Sequence, residues 1–172
     1  MSLKRPAKVI IVGTAHPLQL GKEGADVADK FEAFLREICD NYGIRAIAEE
    51  MNPQAMEEGG ATSTLGMKVA AERCLPHAHC DPNRYERKAL GIRQDNDVLL
   101  DGFFTARPEQ ESRALIAVEY SKREAIWLDR LRGLDTWPTL FVCGANHVES
   151  FSSLLASNNI ATVNAASDWP QK

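Results

Sequence analysis

Short apolar runs rich in β-branched residues, each cut off by glycine or a carboxylate, constrain this chain more than any other feature. Lys8-Val9-Ile10-Ile11-Val12-Gly13 and Thr139-Leu140-Phe141-Val142-Cys143-Gly144 are such runs. They lack the alternation of a half-exposed strand, so they predict strands covered on both faces, as in a parallel sheet. Residues 44–50 and 160–165 read as two more strands. Between the first two strands, Val27, Phe31, Phe34, Leu35, Ile38 and Tyr42 recur at three- and four-residue steps, an amphipathic helix that Gly43 ends. Strand, helix, strand over this length predicts a right-handed parallel crossover.

Further helices are expected from the Thr62-Ser63-Thr64 caps to about Arg73, from Asn83 to Leu90, from Pro108 to about Arg132, and over 148–157. Residues 76–82 hold a brief third strand ending at Pro82. Residues 95–105 are apolar without a clear period, so no element is assigned. The stretch 52–64 is polar and contains Gly59-Gly60, which predicts a mobile lid beside any site at the end of the second strand. The fold class that follows is α/β: one domain over 1–172, with a mostly parallel central sheet flanked by helices.

Composition removes several function classes. A net charge of −4 gives no basic footprint for nucleic acid. No apolar run nears the ~20 residues that span a bilayer, and the start shows no signal-peptide pattern. Four cysteines in no zinc or redox spacing read as reduced thiols, which predicts a cytoplasmic protein. Association into a homo-oligomer is left open.

The polar residues fall where the strands end. Gly13-Thr14-Ala15-His16 follows the first strand, Glu49-Glu50 ends the second, Cys80-Asp81 the third, and Gly144-Ala145-Asn146-His147 follows the fourth. In a parallel sheet these positions share the carboxyl edge, where open α/β folds bind ligands. Two imidazoles and a carboxylate are a common donor set for a divalent ion, with Zn, Mn and Fe as candidates, and such an ion activates water. His16 and His147 are the metal candidates, Glu49 and Glu50 the catalytic carboxylates, and Asp81 and Asn146 the substrate contacts. Glu49 and Glu50 point to opposite faces of an extended strand, so at most one enters the site directly; the other pairs with a cation such as Arg123 or Arg87.

Bland readings compete with each of these. A histidine at a strand end is usually a loop or capping residue, and Glu49-Glu50 alone reads as a solvated strand end. His77-Ala78-His79-Cys80 resembles a metal cluster, but His79 and Cys80 face oppositely in a strand, which favours a packed strand edge. Cys143 precedes His147 like a thiol nucleophile, yet it lies inside a buried run, where cysteines are mostly inert. The pairs Trp127-Leu128 and Phe103-Phe104 read as core, and Arg123-Glu124 as a surface pair unless one of them reaches the site.

In their order, Gly13-Thr14-Ala15-His16, the Glu49-Glu50 strand end, Arg123 on a late helix and Gly144-Ala145-Asn146-His147 resemble the motifs of the TraB/Tiki superfamily, grouped with erythromycin-esterase and ChaN-like proteins. The resemblance spans most of the chain as ordered motifs rather than continuous similarity. It implies His16, Glu49, Glu50, Arg123 and His147 as the site and hydrolase chemistry, metal-dependent in the Tiki proteases. Ser150 stands where the late motif often has a second glycine, and the membrane segments of many TraB proteins are absent. The function expected is a metal-dependent hydrolase of a small-molecule or peptide-like substrate, with no nucleic-acid or membrane partner. The alternative is a non-catalytic domain binding an anionic small molecule through His16, Arg123 and the glycine turns.

Overall fold

The computed structural model describes residues 6–170. In chain order the elements are β1 (Lys8–Thr14), α1 (His16–Gln19), α2 (Ala25–Tyr42), β2 (Ala46–Glu49), α3 (Pro53–Glu58), α4 (Leu65–Glu72) and β3 (His77–His79). They continue as α5 (Arg84–Ala89), α6 (Asp95–Phe104), α7 (Glu109–Leu134), β4 (Thr139–Gly144), a 3-10 turn (Ala145–His147), α8 (Val148–Ser157) and β5 (Ala161–Trp169). The five strands form one parallel sheet in the order β3-β2-β4-β1-β5.

Both faces of the sheet are covered at its centre, which is why β1 and β4 are largely apolar and buried. Ile10, Val12, Ile47, Leu140 and Val142 pack against Phe31, Leu35 and Ile38 of α2 and Leu65, Val69 and Ala70 of α4. Their strand neighbours Val9, Ile11, Ala48, Phe141 and Cys143 pack on the other side, against Trp127, Leu128 and Leu131 of α7 and Phe151 and Leu155 of α8. Each strand therefore divides its side chains between two cores with period two. Gly43 ends α2 in the left-handed region, at φ 60°, which costs glycine little and turns the chain toward β2.

The strand order places the site. β1 and β2 are parallel, as the crossover predicts, but β4 lies between them. From β1 the chain crosses over α2 toward β2, and from β4 it crosses over α8 in the opposite direction toward β5. Because α2 packs on one face of the sheet and α8 on the other, the two connections leave the neighbouring ends of β1 and β4 toward opposite faces, the topological switch point at which ligand crevices form in such sheets. Gly13 lets β1 and β5 lie close there: a Cβ at Gly13 would sit 2.2 Å from the Ser167 carbonyl oxygen.

Several expectations need correction. Part of the stretch read as a polar loop, Pro53–Glu58, is α3: Asn52 is buried, accepts from the Ala55 N–H at 2.9 Å to cap that helix, and donates to the Pro82 carbonyl at 3.3 Å. The unassigned stretch 95–105 holds α6, Asp95–Phe104. Phe103 and Phe104 are 80% and 76% exposed rather than core. The reason lies in how α6 docks. It buries Val98 and Gly102, and a Cβ at Gly102 would meet Ser112 Oγ of α7 at 2.6 Å, so the small side of the helix faces inward and the aromatic side outward. No helix among the described residues is long and apolar enough to cross a membrane.

Candidate functional site

A pocket of about 530 Å³ opens at the carboxyl ends of β1, β2 and β4, lined among others by His16, Glu50, Asp81, Arg123, Asn146 and His147. Glu50 is its centre. Its backbone N–H bonds to Val142 of β4 at 2.8 Å, and as the first residue past β2 it shares the parity of Ala48, which aims its side chain at the α7 face. The carboxylate is buried and surrounded by donors. Arg123 Nη2 donates to Oε1 at 2.5 Å and the Gly144 N–H to Oε2 at 2.7 Å, with His16 Nε2 3.4 Å from Oε2 and His147 Nε2 3.6 Å from Oε1. Burial alone would push the Glu50 carboxyl up; the His16 bond and the charge of Arg123 outweigh it and hold the group below the usual carboxylate range.

Arg123 reaches this point because α7 carries a polar face. Tyr120, Arg123, Glu124 and Trp127 recur at three- and four-residue steps, so they share one side of the helix. Arg123 Nε donates to Asp81 Oδ1 at 3.0 Å, and Trp127 Nε1 donates to the same oxygen at 3.0 Å. Arg87 closes on the other Asp81 oxygen. Glu124 Oε1 meets His147 Nδ1 at 2.8 Å and accepts from Ser150 Oγ at 2.6 Å. That contact assigns the proton of a neutral His147 to Nδ1 and turns the Nε2 lone pair toward the pocket, where Arg123 Nη1 lies 3.4 Å away. Tyr120 packs against the His147 ring, tilted by 39° with centroids 4.0 Å apart, and donates to Asp95 at 2.6 Å. Burial, and then the Asp95 bond, push its hydroxyl up to about 12.

His16 is the exposed member, with 54% of its side chain accessible. Its bond to Glu50 raises its pKa, against the opposing effect of partial burial. A Cβ at Gly144 would lie 3.1 Å from Glu50 Oε2 and 3.3 Å from His16 Nε2, so glycine at this position gives the His16–Glu50 pair its room.

The structure thus gathers His16, Glu50, Asp81, Arg123, Asn146 and His147 around one pocket. It separates Glu49 from them: that side chain has the parity of Ile47 and faces α4 on the opposite side of the sheet. Of the two cations weighed as partners for the second glutamate, Arg123 pairs with Glu50 and Arg87 with Asp81, while Glu49 meets His77. A metal ion held between His16 and His147 does not fit this arrangement. The two imidazoles address different oxygens of Glu50, and the Arg123 guanidinium already occupies the cation position beside Glu50 and His147. Cys143 is fully buried and its thiol is pushed well above its ordinary value by burial. Glu124, Tyr120 and Asp95 are the residues that strand-end motifs could not find; the polar spacing along α7 carries the signal for the first two. Compared with known proteins, the chain matches no family model, no curated protein and no solved structure.

Proposed function

We propose that the pocket is the active site of a hydrolase for a small, neutral polar substrate such as an ester or amide, working by proton transfer through its two histidines. The observation that carries this reading is the pair of carboxylate–imidazole contacts, Glu50 with His16 and Glu124 with His147, converging on one crevice. In each, a buried carboxylate fixes a ring nitrogen, the arrangement that orients and tunes a general acid or base. His147 is the base: its Nε2 takes the proton of the attacking water while Nδ1–H stays on Glu124. His16, kept protonated to higher pH by Glu50, is the acid that returns a proton to the leaving group. Arg123 and the Gly144 N–H hold Glu50 ionised and in place. The motif order that resembles TraB/Tiki proteins also implies hydrolase chemistry and shares His16, Glu50, Arg123 and His147 with this reading, though not Glu49 or the metal of the Tiki proteases.

Charge favours a neutral substrate over the anion-binding reading. Glu50, Asp81 and Asp95 line the pocket against Arg87 and Arg123, and both guanidiniums are already bonded to carboxylates. Among the described residues that line the pocket, neither guanidinium is therefore left free for an anion.

Turnover of chromogenic carboxyl esters, anilides and phosphoesters tests the proposal. Activity should favour uncharged esters or anilides, and His147→Ala should lower kcat by about 10²–10⁴ in a folded protein. Full activity in His147→Ala, or no turnover of any substrate class, would reject it.

A further inference from the structure

The opposite face of the sheet carries a second cluster, which the proposed chemistry leaves unused. β3 pairs with β2 in a register that sets Glu49 beside His79 and Ile47 beside His77. Side chains at 49, 77 and 79 therefore stand on one face, two histidines one pleat apart and a carboxylate next to them. One ligand atom from each lies within 4.8 Å of the others. His77 Nε2 is 3.0 Å from Glu49 Oε2, and the two imidazoles meet edge-on at 4.7 Å.

The cluster's hydrogen bonding is incomplete. Glu49 is fully buried; its Oε2 accepts from Thr64 Oγ1 at 2.5 Å, while Oε1 has no partner. His79 Nδ1 is buried and also without a partner. A buried carboxylate oxygen without a donor costs free energy and calls for an explanation, an absent ion among them. Gly66 on α4 makes room for the Glu49 carboxylate, since a Cβ there would sit 2.1 Å from its Oε1.

We propose that Glu49, His77 and His79 form a binding site for a divalent transition-metal ion of the zinc class, separate from the pocket. Two histidines and a glutamate are an established zinc donor set, and they leave a fourth position for water. Bonds of about 2.1 Å set tetrahedral ligands roughly 3.4 Å apart, so the cluster closes by rotation of the imidazoles. β3 is the edge strand and the His77 side chain is 15% accessible, which gives an ion a way in. Bound there, the ion would tie the end of β2 to β3, one peptide bond from Glu50.

Calorimetric titration of the chelator-treated full chain with Zn²⁺ tests the site. The expected result is about one equivalent bound with Kd in the micromolar range or tighter, weakened at least tenfold in His79→Gln and Glu49→Gln and unchanged in His16→Ala. Co²⁺ loaded into the wild-type chain should give the intense visible absorption of a four- or five-coordinate ion, a readout that survives if a variant fails to fold. Absence of Zn²⁺ binding below 100 μM, or of that cobalt spectrum, overturns the site. So does binding that persists in both variants. Binding lost in His16→Ala and kept in His79→Gln would move the metal into the pocket and overturn the metal-free arrangement of the proposed hydrolase as well.

Discussion

Glu49 and Glu50 are joined by one peptide bond and both are buried, yet their surroundings are opposite. Glu50 meets a guanidinium, a backbone N–H and two imidazoles. Glu49 meets one hydroxyl and one imidazole and keeps an oxygen unsatisfied. The pleat alone sends them apart, and the helices behind each face do the rest. α7 presents Tyr120, Arg123, Glu124 and Trp127, whereas α4 presents the bare backbone of Gly66. A buried charge needs its partners in place, so Glu50 is committed to one arrangement, while Glu49 retains the capacity to bind something else.

The comparison breaks most directly at Glu50. Glu50→Gln leaves Arg123 buried beside Asp81 alone and should cost about 3–5 kcal/mol in denaturant unfolding, against no more than about 1.5 kcal/mol for Glu49→Gln in metal-free protein. Equal costs would mean that both carboxylates are structural. Because the folded Glu50 carboxyl lies below its ordinary value, its contribution is complete above that value and lost as pH falls through the folded one. The acid limb of the stability profile should therefore be shallower in Glu50→Gln than in wild type.

Next in size is Arg123→Lys. The guanidinium bonds Glu50 and Asp81 at once, and a single ammonium cannot reproduce that fork. A loss of about 2–3 kcal/mol is expected, with turnover reduced; a silent substitution would remove the guanidinium from the account of the pocket. Gly66→Ala probes the other face. Its Cβ would displace the Glu49 carboxylate, costing about 1–3 kcal/mol and abolishing Zn²⁺ uptake, while the pocket variants keep it.

The smallest effect belongs to His16. Its pKa is raised in the folded chain, so its contribution is full below 6.5 and is lost as pH rises through the folded value. With half the side chain in solvent, His16→Ala should change stability by less than about 1 kcal/mol and flatten the profile above pH 6.5. A larger loss would show that the residue braces the fold.

The strands and the convergence of their ends were legible because both follow from runs of buried residues and from the geometry of parallel sheets. β4 and α8 fall on the residues their patterns mark. The insertion of β4 between β1 and β2 was not legible, since no local pattern encodes strand order. Phe103 and Phe104 misled because an apolar pair says nothing about which side of a helix docks, and here Gly102 decides it. Glu124 reads with Arg123 as a surface pair unless one of them reaches the site, because α7 is followed by its apolar spacing, although its polar residues obey the same period. The His77 and His79 pair was set aside by weighing His79 against Cys80, when the residues two apart were the ones that share a face.

The sheet order also bears on how the chain acquires this site. β1 is made early, yet both of its neighbours, β4 and β5, are made last, after residue 138. Closing such long loops makes folding slow. During synthesis at about 5–20 residues per second, Glu50 leaves the ribosome some seconds before Arg123, and through that interval the carboxylate lacks its guanidinium partner. The pocket is thus completed in one late step, when the C-terminal third brings Arg123, Gly144 and His147 to a residue that has been waiting for them.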